Sequence, residues 1–64
     1  MISGIVKSWN ISKGWGFIEG DDGENYFLHV FKIRSGQSVS SNSRVQFDVS
    51  QGQRGPEAYN VTLY

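Results

Sequence analysis

The chain has 64 residues, no cysteine, and two Trp, three Tyr and four Phe, which allows one small domain with a modest core and excludes disulfides and thiolate metal sites. No apolar run reaches membrane-spanning length, and Met1-Ile2-Ser3-Gly4 lacks the basic segment and apolar stretch of a secretory signal, so a soluble cytoplasmic protein is expected. Six Lys and Arg balance six Asp and Glu, which denies the molecule the basic excess usual in nucleic-acid binders, yet Lys7 and Lys13 flank an aromatic-rich region while Asp21, Asp22 and Glu24 gather in one turn.

Turn formers punctuate the sequence at short intervals and no helical period is sustained, the signature of a small all-β domain. The first predicted strand runs from Ile2 to Asn10, with Ile5, Lys7 and Trp9 on one face and Gly4, Val6 and Ser8 on the other. Ile11 to Gly14 turns the chain into a second strand, Trp15 to Glu19. Gly20-Asp21-Asp22-Gly23 is a hairpin turn, since Gly tolerates positive φ and Asp bonds its own backbone. The third strand covers Asn25 to Val30. The polar stretch Lys32–Arg44 reads as a long loop. The fourth strand, Val45 to Val49, points Val45, Phe47 and Val49 inward. Gln51 to Pro56 reads as a Gly-rich turn, and Ala58 to Leu63 as the fifth strand, with Tyr59 at a rim. Five short antiparallel strands at this length fit a closed barrel, which leaves no exposed sheet edge.

Strand alternation then defines a candidate site. With Ile18 and Leu28 turned inward, Trp15, Phe17, Phe27 and His29 fall together on the outer face of one hairpin. The reverse assignment would leave Gly16 and Ile18 as a poor outer face. Exposed rings cost solubility, and stacking on unpaired bases, with nearby Lys for phosphates, gives them a use. Trp9 is either a packing plug or a further stacking ring, and its parity with Lys7 favours the binding side. Lys32, Arg34 and Arg44 read as phosphate contacts or as loop solvation. His29 is the only His, and neither a metal-ligand set nor a nucleophile–base pattern surrounds it. The acidic turn lacks the ligand spacing of a calcium loop. Gly52 to Gly55 lacks the Lys-Ser/Thr and helix of a phosphate loop.

Lys13-Gly14-Trp15-Gly16-Phe17-Ile18 and Phe27-Leu28-His29 resemble the two ribonucleoprotein motifs of the bacterial cold-shock domain, a five-stranded OB-fold. Trp15 stands where Phe is usual and Leu28 where Val is usual. Gly4, Val6-Lys7, Asn10, Ile33, Arg54-Gly55-Pro56 and Asn60-Val61-Thr62 extend the resemblance over nearly the whole chain. The resemblance implies one OB-fold domain over residues 1–64 that binds single-stranded RNA or DNA with little sequence specificity and keeps RNA unpaired. It implies no catalysis, metal or other cofactor. By this resemblance Lys7, Lys13, Trp15, Phe17, Phe27 and His29 match binding positions. Asn10 is expected to bond a base edge, and Trp9 and Phe31 are added as candidate stacking rings. Three positions depart: Ser8 replaces a Trp, Val30 replaces a ring that Phe31 follows at once, and the loop at Gln37-Ser38 is about two residues short and lacks an aromatic. The rival reading is a protein-interaction module using the same aromatic patch. A monomer is expected, with Lys32–Arg44 a candidate hinge for a strand-swapped dimer.

Overall fold

The computed structural model describes residues 1–34 and 38–64. Residues 35–37 of the candidate hinge, Gln37 among them, therefore lie outside the described residues. Among the described residues five strands form, β1 (Ile2–Asn10), β2 (Trp15–Gly20), β3 (Asn25–His29), β4 (Arg44–Gly52) and β5 (Gly55–Leu63), with a 3₁₀ turn at Val30–Lys32. They close into a barrel in the order β1-β2-β3-β5-β4. The β1–β2, β2–β3, β1–β4 and β4–β5 pairs are antiparallel, as expected. Closure differs: β3 meets β5 in parallel at Phe27 and Glu57, and the Ile33–Val61 bridge continues that seam. The Arg34 N–H donates to the Val61 carbonyl at 2.9 Å, so the segment leaving the 3₁₀ turn completes the wall.

Inward positions of every strand fill the interior. Val6, Ile18, Leu28, Val45, Phe47, Ala58 and Val61 are fully buried, and the Tyr26 ring meets Phe47 edge-on at 5.2 Å between centroids. Val39 also turns into this core, so the polar Lys32–Arg44 stretch contributes an apolar plug. Ser43 and Asn42 tie that stretch to Val6 through backbone hydrogen bonds of 2.9 and 2.7 Å. Val49 pairs with buried Ala58 but is 39% exposed. The β1–β4 pairing ends at Ile2 and Phe47, so Val49 lies beyond the part of β4 that pairs with β1. Both β4 and β5 run further than their hydrophobic alternation suggests, leaving Gln53 and Arg54 as a two-residue turn between Gly52 and Gly55.

A bulge in β1 decides which residues face the site. Val6 pairs with Ile18 but Ser8 pairs with Phe17, so Lys7 is an extra residue in β1. A bulge of this kind reverses the alternation beyond it. Lys7 and Ser8 both stay exposed, while Trp9 pairs with Gly16 and packs against the core. The bulged strand presses the Ser8 carbonyl onto the Gly16 α-carbon so closely that a Cβ there would collide with it.

The β2–β3 turn is tied rather than merely solvated. The Asp22 carboxylate accepts the Tyr26 hydroxyl at 2.6 Å and the Glu24 N–H at 3.0 Å, and the Arg44 guanidinium bonds Asp21 at 2.9 Å. The Tyr26 hydroxyl and then the Glu24 amide hold the Asp22 carboxyl below its ordinary value of 3.8. The same hydrogen bond to Asp22, reinforced by burial, pushes the Tyr26 phenol up to about 12. A lowered carboxyl stabilises the fold above its unfolded value and loses that contribution as pH falls through the folded one. A raised phenol contributes fully below 10.0 and is lost as pH rises toward about 12. Tyr26→Phe should therefore lower the urea midpoint at neutral pH. Its deficit relative to the unmodified chain should shrink below the ordinary carboxyl value and again above the ordinary phenol value. A deficit that stays constant over the whole range would show that this bond does not couple to folding.

Candidate nucleic-acid interface

The β2–β3 register places Trp15 opposite His29 and Phe17 opposite Phe27, on the outer face. Buried Ile18 and Leu28 occupy the other face. Three rings interlock: Trp15 and Phe27 stack at 6.0 Å between centroids and 25°, while Phe17 meets Trp15 at 6.1 Å and 86° and Phe27 at 5.9 Å and 78°. Such offset and edge-on arrangements are the favoured geometries of aromatic pairs. The Phe17 ring remains 42% exposed. His29 continues the row. Its Nδ1 accepts the Phe31 N–H at 3.3 Å, and the Phe31 ring stacks on it at 4.9 Å and 29°. The sequence-predicted rings Trp15, Phe17, Phe27, His29 and Phe31 are thus neighbours along one face.

Trp9 is not among them. The bulge at Lys7 turns its side chain to the Gly16 side of the sheet, where it packs against the core. The expected parity of Trp9 with Lys7 is corrected by that one extra residue. Ser8, not Trp9, sits opposite Phe17, so the strand-one end of the ring row carries a hydroxyl.

The cations are less free than their number suggests. Lys7 Nζ lies 3.5 Å from Glu19 Oε1, both half exposed. Arg44 is engaged with Asp21 and lies over the Tyr64 ring at 5.3 Å. Among the described residues no carboxylate lies within ion-pair distance of Lys13, which is exposed on the β1–β2 turn. Asn10 builds that turn: its carbonyl accepts the Gly14 N–H at 2.7 Å, and its Oδ1 accepts the Ser12 hydroxyl at 2.9 Å and the Lys13 N–H at 3.1 Å. A base contact by Asn10 is left to its Nδ2 donor. Lys32 and Arg34 are exposed along the segment that leaves the 3₁₀ turn.

Arg54 is the residue that strand patterning does not reveal. From the tight β4–β5 turn its guanidinium lies 4.8 Å from the Phe27 ring centroid, within cation–π range. The Arg54-Gly55-Pro56 run stood out in the sequence by resemblance, but nothing local connects it to Phe27. The β3–β5 seam makes that connection. The face therefore combines flat apolar rings with cations at its edges, a surface able to stack on planar bases and to balance phosphates.

The family model described as the 'Cold-shock' DNA-binding domain matches residues 2–64. The chain is 44% identical over 66 residues to a cold shock protein of Arthrobacter globiformis, covering 98% of each. It is 41% identical over 64 residues to the major cold shock protein of Streptococcus pyogenes serotype M1, covering 97% of this chain and 96% of the relative. It is 44% identical over 63 residues to the cold shock-like protein CspG of Escherichia coli strain K12, covering 94% and 90%.

Two substitutions separate packing from platform. Trp9→Ala should lower stability by about 2 kcal/mol, below the range for fully buried Trp because the ring is half-buried. Affinity per folded molecule should be unchanged. Phe27→Ala removes contacts to Trp15, Phe17 and Arg54. It should cost stability by about 1–3 kcal/mol and also weaken oligonucleotide binding. Urea midpoints paired with titrations decide this, and weaker binding by folded Trp9→Ala would return that ring to the outer face.

Proposed function

Because the chain belongs to the 'Cold-shock' DNA-binding domain family, we propose that it binds single-stranded RNA or DNA with little sequence specificity and acts as a nucleic-acid chaperone in the cytoplasm. The observation that carries this reading is the outward row of Trp15, Phe17 and Phe27 on a face backed by the core. Every base has a π-face, so stacking selects unpaired strands without selecting sequence. A base inside a duplex is already stacked and offers these rings nothing. Binding to the unpaired state lowers the population of RNA hairpins by mass action, with no need for nucleotide hydrolysis or a metal ion.

In this reading Trp15, Phe17 and Phe27 stack bases. Lys13, Lys7 and Arg54 balance phosphates at the edges of the row, and Asn10 holds the turn that presents Lys13. Stacking contributes about 1–3 kcal/mol per base. A footprint of about four nucleotides and micromolar affinity follow from three central rings and one flanking pair.

Competition between a single strand and the duplex of the same sequence tests the proposal. Preference for the single strand is expected, and equal affinity would remove the stacking basis. Few counterions should be released, because the face carries few cations and Lys7 is shared with Glu19. The slope of log affinity against log salt should lie at roughly −1 to −3, given about −0.7 per phosphate neutralised on a single strand. Glu19→Gln should free Lys7, tighten binding at low salt and steepen that slope by about 0.7. An unchanged slope in Glu19→Gln would mean that Lys7 does not meet the phosphate chain.

A further inference from the structure

We propose that Ser8 is a sugar-reading residue of this face: its hydroxyl exchanges a hydrogen bond with a ribose 2′-hydroxyl, so that the site takes single-stranded RNA in preference to DNA. The inference rests on the single-strand reading above and deepens it by naming the sugar. The register carries two rows across the sheet. Ser8 lies opposite Phe17 and Phe17 opposite Phe27, while Asn10 lies opposite Trp15 and Trp15 opposite His29. Directly opposed residues of an antiparallel pair share a face. The extra residue at Lys7 thus gives β1 a polar rail, Ser8 and Asn10, along the flank of the Trp15–Phe17 pair. Both are exposed. The Asn10 Oδ1 is taken up by the Ser12 hydroxyl and the Lys13 N–H, whereas the Ser8 hydroxyl has no hydrogen-bond partner among the described residues.

Placement of the charges sets a sugar, rather than a base, over this rail. Lys7 precedes Ser8, and the Lys13 N–H donates to Asn10, so a cation stands at each end of it, with Lys7 shared with Glu19. Across the sheet Phe27 is opposed by Glu57, and Arg54 there already covers the Phe27 ring. The β1 flank is therefore the better course for a phosphate chain. A nucleotide with its base on Phe17 and its phosphates toward Lys7 and Lys13 carries its ribose between them, above Ser8. Serine is small enough to leave that flank open: Phe17 stays 42% exposed although Phe27 meets it edge-on. A serine hydroxyl both donates and accepts, and so does the 2′-hydroxyl by which a protein tells RNA from DNA.

The test titrates oligouridylate, oligodeoxyuridylate and 2′-O-methyl oligouridylate of one short length against the unmodified chain, Ser8→Ala and Ser8→Thr, each compared per folded molecule. The base is the same throughout, so the affinity ratios isolate the sugar. The unmodified chain should bind the RNA most tightly, and the 2′-O-methyl strand, which has no hydroxyl to donate, no better than the DNA. Ser8→Ala should lower RNA affinity about three- to tenfold, the worth of one net hydrogen bond, and leave DNA affinity unchanged. Ser8→Thr keeps the hydroxyl and should keep the preference. A ratio of RNA to DNA affinity that is the same in Ser8→Ala as in the unmodified chain overturns the proposal, as does a 2′-O-methyl strand that binds the unmodified chain as tightly as RNA. If Ser8→Ala does not fold, the 2′-O-methyl comparison on the unmodified chain decides the matter alone. An unmodified chain that binds none of the three strands overturns the single-strand reading itself, and the sugar contact with it.

Discussion

Strand register in the β2–β3 hairpin is the constraint on which the rest of the molecule depends. Side chains alternate with a period of two, so a slip of one residue would carry Phe17 and Phe27 inside and put Ile18 and Leu28 in water. The register is held at one end by the turn, where Asp22 gathers the Glu24 amide and the Tyr26 hydroxyl. At the other end the Val30 N–H donates to the Gly14 carbonyl, and Gly14 reaches that position with a φ of 75°. Between these two clamps the alternation leaves no freedom: aliphatic residues build the core and rings form the outer face.

The electrostatics follow from placement rather than from total charge. Asp21, Asp22 and Glu24 sit at the β2–β3 turn, where Arg44 engages Asp21. Arg54 reaches the ring row from the β4–β5 turn, and Lys13 is exposed on the β1–β2 turn, so both cations sit on loops rather than on strands. The family assignment and the outward rings agree on the kind of ligand such a face suits, while a neutral chain leaves less of the affinity to ion release than a basic one would.

Much of this was legible in the sequence, and the exceptions have physical causes. The bounds of β1, the inward Ile18 and Leu28 and the outward Trp15, Phe17 and Phe27 follow from local alternation. Trp9 was misplaced because alternation presumes an unbroken strand, and one extra residue at Lys7 reverses it. The signal was present in Gly16, whose missing side chain makes room for the Ser8 carbonyl, but a glycine in a strand does not say what approaches it. β4 and β5 run longer than alternation suggests because Gly52, Gly55 and Pro56 read as turn formers, while the outer end of β4 is polar. The parallel β3–β5 seam and the Arg54–Phe27 contact join distant parts of the chain, so no local pattern carries them. Val39 was hidden as a lone apolar residue in a serine-rich stretch.

The interlocking of Trp15, Phe17 and Phe27 has a consequence for the thermodynamics of recognition. An exposed aromatic side chain ordinarily samples several rotamers, and ordering it on a ligand costs about 0.5–1.5 kcal/mol. Here each of the three rings is wedged by the other two, so that rotational freedom is lost when the barrel folds, before any strand arrives. The face is preorganised. In the proposed single-strand reading, the entropy lost on association would therefore belong mainly to the nucleic acid, and the free energy of stacking would not be diminished by rearrangement of the protein.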